Sequence, residues 1–275
     1  MKPVHWFSLI LLLLFAAPAA AQEVFCFHLP YGIPTGTPDT NILIVREIYA
    51  LSANRATKFA DWVAYRLDSA TISGAERTSR NWSADPWLPA DATLEPDDYR
   101  DAAAKRGSDR GHQAPLGSFK GTDHWRETNY LSNITPQQAA LNQGPWNALE
   151  DQERQLAQQL TVYVITGPLY EQPMPPLPSA DEPHTVPSGY WKIIAAPGPG
   201  GTLQCSAYIF AQDTPRRAIV REHLCPVDAI ERRSGLDFFT ALPDDEETAL
   251  ESGCREFWLP APAAPVPAPP AAAAP

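Results

Sequence analysis

The pattern of the 275-residue chain predicts a mixed α+β domain. Segments rich in branched and aromatic residues recur at 41–51, 57–67, 161–167, 190–196 and 205–211, and helical periodicity is strongest at 145–160 and 227–235. Strands and helices do not alternate regularly and no internal repeat is present, which argues against a doubly wound parallel sheet.

The elements follow in order. Met1 to His5 carries a positive charge, Trp6 to Ala17 is almost wholly apolar, and Ala19-Ala20-Ala21 offers a small-residue cleavage site, the layout of a signal peptide over residues 1–21. That apolar run is short for a bilayer span, no later segment reads as one, and the mature protein is expected to be exported, periplasmic or secreted, with no membrane contact. The domain is expected over 22–259. Asn41–Leu51 and Thr57–Leu67 read as neighbouring strands with a turn near Ser52–Asn54, and 78–89 reads as a loop. Asp97–Gly107 reads as a short helix, acidic at its start, basic at its end and closed by Gly107. Tyr130–Pro136 is a short strand running into a turn. From Pro145, Trp146, Leu149, Leu156 and Leu160 mark a core-facing stripe, and positions 142, 146, 150 and 154 form one i, i+4 ridge. Val227–Gly235 is a helix capped by its glycine. Residues 260–275 contain only Pro, Ala and Val and are expected to form an extended appendage.

Composition is ordinary for a globular domain, with 44% hydrophobic and 19% charged residues, although 30 prolines is about twice the usual share. The four cysteines, Cys26, Cys205, Cys225 and Cys254, form no C-x-x-C pair, and in an oxidising compartment they read as two bridges. Three pairings are open, of which Cys225–Cys254 and Cys26–Cys205 are expected. The net charge of −11 opposes nucleic-acid binding through a broad basic surface, and requires any phosphate-binding cleft to be locally positive.

Such a cleft is suggested by Gly107-Ser-Asp-Arg-Gly-His-Gln-Ala-Pro115 and the residues that follow as far as Arg154. Hydrolysis of a phosphodiester needs a base for the attacking water and positive charge for the phosphoryl oxygens. His112 can supply the base. Asn142 offers an amide oxygen to Mg2+, Glu150 can hold that ion's waters, and Arg80, Arg110 and Arg154 can meet phosphate. Each has a blander role: a turn histidine, a helix cap, an i, i+4 ion pair or a solvated arginine.

Their order separates the readings. Ser108-Asp-Arg-Gly-His112, Asn129-Tyr-Leu-Ser-Asn-Ile-Thr-Pro-Gln137, Leu141-Asn-Gln-Gly-Pro-Trp146 and Leu149-Glu-Asp-Gln-Glu-Arg154 resemble the DNA/RNA non-specific endonuclease family, and Ile230–Phe239 resembles its closing segment. The resemblance is greatest to its secreted bacterial, sugar-non-specific members. It implies a ββα-metal (His-Me finger) fold, with a central antiparallel sheet flanked by helices. It also implies His112 as general base, Asn142 as the direct ligand of Mg2+ (Mn2+ as a substitute), Glu150 acting through the metal's waters, and Arg80, Arg110 and Arg154 as phosphate- or site-supporting groups, with Asp109 as structural support. DNA and RNA would be substrates, 5'-phosphorylated oligonucleotides the products, and homodimerisation is open. Two other hydrolase classes fit poorly: the six histidines form no close ligand pairs, and no Gly-x-Ser-x-Gly elbow is present. A catalytically silent relative acting as an exported binding module is the alternative, but the site residues are retained. An exported antibacterial toxin with an immunity partner is a further variant.

Overall fold

A computed structural model describes residues 26–75, 79–253 and 256. The leader (1–21), the tail (260–275) and Cys254 lie outside the described residues. Among the described residues no helix is long and apolar enough to cross a membrane.

The strands are β1 (Ile42–Val45), β2 (Ala50–Ala53), β3 (Ala60–Leu67), β4 (Ser108–His112), β5 (Ile134–Gln138), β6 (Val162–Leu169), β7 (Gly189–Pro197), β8 (Leu203–Ala211) and β9 (Leu224–Cys225). The helices are α1 (Ser69–Ile72), α2 (Ala102–Arg106), α3 (Ala139–Leu141), α4 (Asn147–Ala157), α5 (Val227–Ser234) and α6 (Asp244–Glu251). Seven strands form one sheet in the order β1-β2-β3-β6-β7-β8-β9, and every pairing in it is antiparallel. β4 and β5 make a separate two-stranded ribbon.

Both faces of the large sheet are buried, and the period-2 alternation of its strands shows how. Val63, Tyr65 and Leu67 of β3, with Tyr190 and Ile194 of β7, join Trp146, Leu149 and Leu156 in one apolar cluster. Trp62, Ala64, Trp191, Ile193 and Ala195 point the other way, into a second cluster with Val227, Ile230 and Leu250. The sheet is therefore the middle of three layers: α4 packs on one face, and α5 and α6 cover the other.

The sequence-level elements hold, with local corrections. The run Asn41–Leu51 is two strands, not one: the Arg46 N–H bonds the Tyr49 carbonyl at 2.8 Å and turns the chain, sending Arg46 into a buried ion pair with Asp85. The hairpin turn expected at 52–54 sits beyond β2, between Asn54 and Phe59, where the Asn54 side chain accepts from the Ala56 N–H at 2.9 Å. The helix expected from Asp97 is regular only from Ala102, because Asp101 adopts a left-handed φ of 61°. Gly107, at φ 64°, caps it as expected, donating back to Ala102 and Ala103. The helix expected from Pro145 begins at Asn147 and ends at Ala157, short of Leu160.

The expected Cys26–Cys205 bridge is not formed. Cys26 is a buried free thiol, and Cys205 Sγ lies 3.5 Å from the Leu250 carbonyl in the same cluster.

Candidate active site

The ribbon and the helix after it build the site. β4 pairs with β5 so that His112 lies opposite Ile134, Gly111 opposite Thr135 and Asp109 opposite Gln137. Gly111 has a local reason to be glycine, since an added Cβ would lie 2.6 Å from Gln137 Oε1 and 2.7 Å from Gln137 Cβ. From β5 the chain enters α3 and then a wide turn, Asn142–Trp146, in which Gly144 departs from helical geometry (φ −112°, ψ −116°) before α4 resumes. A Cβ at Gly144 would meet the Arg216 carbonyl at 2.4 Å, so the 211–219 loop presses directly on this turn. The Asn142–Glu150–Arg154 ridge thus spans a break, yet all three residues face one cleft.

That cleft has a volume of about 410 Å³ and is lined by Arg80, His112, Pro115, Leu116, Gly117, Asn142, Gln143, Asn147, Glu150 and Arg154. Five of the predicted residues, Arg80, His112, Asn142, Glu150 and Arg154, are therefore brought together. Asp109 stands behind them and Arg110 is turned away.

The hydrogen bonds fix which atoms remain available. Asn129 Nδ2 donates to the Ser79 carbonyl at 3.2 Å, and a carbonyl can only accept, so Asn129 presents Oδ1 to His112 Nε2 at 3.1 Å. Nε2 must then carry the proton, leaving Nδ1 as the basic nitrogen. Burial, followed by the nearby Arg80 charge, lowers the His112 pKa to about 4 despite the Asn129 bond, so the ring is neutral at pH 7. Trp82 packs against the ring at a centroid distance of 5.3 Å.

Asp109 plays the matching part for Asn142. A carboxylate only accepts, and Asp109 Oδ2 receives Asn142 Nδ2 at 2.8 Å and Gln143 Nε2 at 2.7 Å. The Asn142 amide is thereby oriented with Oδ1 free. Arg216 Nη2 donates to Gln143 Oε1 at 2.7 Å and extends the chain of contacts to the 211–219 loop.

On α4, burial pushes Glu150 up to about 7; Lys192 and Arg154 oppose the shift, while Glu153 and Asp151 reinforce it. Arg154 lies 3.8 Å from Glu150, donates to Ser118 Oγ at 3.3 Å, and holds Asp151 at 2.6 Å. Burial works against its charge, but these acids hold its pKa above the usual arginine value. Arg110 instead donates to the Pro96 carbonyl at 2.8 Å and lies over Tyr99 and Trp82, at 5.2 and 5.5 Å. It supports Trp82, and through it His112, from behind.

Sequence reasoning assigned no role to Asn129, Gln143, Arg216 or Lys192. Asn129 and Gln143 lay inside the resembling motifs. Lys192 gave a signal of its own, a charge within an apolar strand: it is fully buried, 2.7 Å from Glu153, whose other oxygen receives the Tyr65 hydroxyl at 2.8 Å. This buried pair underlies the helix that carries Glu150.

Comparison with known proteins agrees with the geometry. The family model for DNA/RNA non-specific endonucleases matches residues 31–245. A nuclease of Serratia marcescens is 46% identical over 245 residues, covering 87% of this chain and 91% of that protein. Mitochondrial endonuclease G of Bos taurus is 32% identical over 219 residues, 74% of this chain and 71% of that protein. Among solved structures, the EndoG/EndoGI complex aligns with a TM-score of 0.68 at 25% identity, covering 80% of this chain and 92% of that one. With its ββα site on an antiparallel sheet, this chain belongs to the DNA/RNA non-specific endonuclease family and is a hydrolase of the nuclease class.

Proposed function

We propose that the cleft hydrolyses phosphodiester bonds of DNA and RNA with little regard to sequence or sugar, leaving 5'-phosphorylated oligonucleotides. The observation that carries this reading is the pairing of two freed atoms in one cleft. Asn129 leaves His112 Nδ1 as a base, and Asp109 leaves the Asn142 amide oxygen as a ligand. Lined by Glu150 and two arginines, the same cleft is locally suited to an anionic substrate although the chain is acidic.

The donor set fits Mg2+, with Mn2+ as a substitute: an amide oxygen as the one direct ligand and Glu150 as an acceptor for the ion's waters. When bound, the ion supplies positive charge to the phosphoryl and leaving oxygens. The chain's own groups do the rest. His112 Nδ1 takes a proton from the attacking water, whose oxygen bonds phosphorus as the bond to the 3'-oxygen breaks. Arg80 and Arg154 offset charge on the phosphoryl oxygens. Arg154 is held in place by Ser118 and Asp151. Export through the leader is part of the same reading, and so is a Cys225–Cys254 bridge.

The test is cleavage of supercoiled plasmid and single-stranded RNA by purified protein, in Mg2+ and in EDTA, beside His112→Ala and Asn142→Ala. Metal-dependent cleavage of both substrates, abolished in both variants, is expected. Cleavage that persists in His112→Ala would overturn the assignment of the base, and absence of cleavage by the parent protein would favour an exported binding module.

A further inference from the structure

Arginine also stands at the rim of the cleft, on a segment to which the mechanism above gives no contact with substrate. Between β8 and β9 the chain runs through Asp213-Thr-Pro-Arg-Arg-Ala218. The Ala218 N–H bonds the Pro215 carbonyl at 2.9 Å, which puts Arg216 and Arg217 at the corner of a tight turn, and both are exposed. The turn is pinned to the elements that carry the site. Gln212 at its base, only 3% exposed, donates to the Pro136 carbonyl of β5 at 2.8 Å and accepts from the Gln138 N–H at 2.8 Å. Thr214 Oγ1 closes the base by donating to the Ala211 carbonyl at 2.7 Å. At the tip, the Arg216 backbone packs so closely on Gly144 that no Cβ fits between them.

These contacts decide where the Arg216 charge sits. Its Nη2 donates to Oε1 of Gln143, a residue of the cleft lining, and the other end of that amide is bonded to Asp109. The partner of Arg216 is thus a neutral amide, which neither cancels the charge nor uses up the planar N–H fork. An arginine already held by one such bond loses less side-chain freedom when it meets phosphate, and its fork matches phosphate geometry. Arg80 and Arg154 line the cleft itself, whereas Arg216 stands just outside it, beyond Gln143. A chain of net charge −11 must place positive charge locally to hold a polyanion, and a rigid turn beside the Asn142 segment does so.

We propose that Arg216 binds a phosphate of the substrate strand next to the one being cleaved, which makes the 211–219 loop a substrate-binding arm; this rests on the nuclease reading above. Gln143 is then a positioning residue, holding the guanidinium in place with one end of its amide and Asp109 with the other. Salt dependence separates this role from a purely structural one. An arginine that only braced Gln143 would alter catalysis without changing how many phosphates the protein neutralises, and that number sets the slope of log affinity against log salt.

The experiment measures binding of a fluorescent single-stranded oligothymidylate to full-chain His112→Ala protein in EDTA, between roughly 50 and 200 mM NaCl, by anisotropy. Adding Arg216→Gln should weaken binding roughly tenfold at low salt and reduce the slope by about 0.7, the share of one phosphate contact on a single strand. Arg216→Lys, which keeps the charge, should restore most of the slope. Arg233→Gln, which removes a charge from α5 on the other face of the sheet, should leave it unchanged. With His112 intact, the loss of charge in Arg216→Gln should raise KM for plasmid in Mg2+, and Arg216→Lys should recover it. A slope unmoved by Arg216→Gln, or lowered equally by Arg216→Lys or Arg233→Gln, would overturn the arm; if the parent protein still cleaves plasmid, the nuclease reading survives that result. A parent protein that neither cleaves plasmid nor binds the oligonucleotide would overturn both.

Discussion

Replacing Asn129 tests how the catalytic histidine is prepared. The side chain bridges the Ser79 carbonyl and His112 Nε2, at 3.2 and 3.1 Å, and so selects the tautomer. Asn129→Asp keeps an acceptor there but adds a negative charge. At 3.1 Å and an effective dielectric constant near 20, a carboxylate attracts an imidazolium by about 5 kcal/mol. Desolvation of the new carboxylate offsets part of this, leaving the usual effect of about 1–3 pKa units. The His112 pKa should then rise from about 4 to between roughly 5 and 7. Asn129→Ala removes the acceptor without adding charge. Losing one hydrogen bond to a buried ring, at about 1–3 kcal/mol, predicts a fall in kcat of roughly 5- to 150-fold. The assay is nitrogen-15 NMR of labelled histidine in EDTA, with the His112 signal assigned by its loss in His112→Ala, followed by plasmid cleavage. The parent ring should show the Nε2–H tautomer and remain neutral well below pH 6. A proton on Nδ1, a pKa near 6.5 in the parent, or an unmoved pKa in Asn129→Asp would refute the reasoning.

Three further outcomes follow from the same geometry. Lys192→Met strands the buried Glu153 carboxylate, and should cost about 3–5 kcal/mol, or roughly 6–20 °C in Tm by calorimetry; a shift under 2 °C would show the pair to be dispensable. Arg216→Ala removes the brace on Gln143, and should slow cleavage about fivefold, equivalent to about 1 kcal/mol, while moving Tm by no more than about 2 °C. In EDTA, stability should fall on both sides of mildly acidic pH. Below pH 6.5, down to about 4, the unfolded chain takes up protons that His112 and His28 refuse in the fold. As pH rises from about 4.5 through 7 to 8, the folded chain must give up protons that Glu150 and Glu251 retain, and Glu150→Gln should flatten that limb in calorimetric scans.

The parts of the site that were legible in the sequence are those whose cause lies within a few residues. Gly111 is glycine because of Gln137, its neighbour on the paired strand, and Asn142, Glu150 and Arg154 fall on one turn and the helix that follows it. Gly107 caps α2 and delivers the chain to β4, as composition alone predicted. What stayed hidden depends on contacts from afar. The helical ridge drawn through Asn142 and Trp146 assumes a continuous helix, but the backbone of Arg216, 72 positions from Gly144, presses into that turn and bends it. The motif leaves open whether Arg110 meets phosphate or supports the site from behind. Its direction depends on the Trp82 loop, which closes over that side of β4 and takes the guanidinium for itself. Lys192 could be seen as an anomaly in an apolar strand but not paired, since Glu153 lies 39 positions away on another layer.

The long-range contacts share one feature: each fixes an atom that the local sequence had already placed. Ser79 decides which end of Asn129 faces His112, Asp109 decides which end of Asn142 faces the cleft, and Lys192 opposes the protonation of Glu150. A motif therefore predicts residue identity in the cleft well and chemical state poorly. A neutral histidine with the wrong tautomer, or an asparagine presenting nitrogen in place of oxygen, would satisfy the same motif and do no chemistry. The residues that prevent those two states, Asn129 and Asp109, are accordingly the positions where substitution should slow cleavage while leaving the fold and the cleft lining intact.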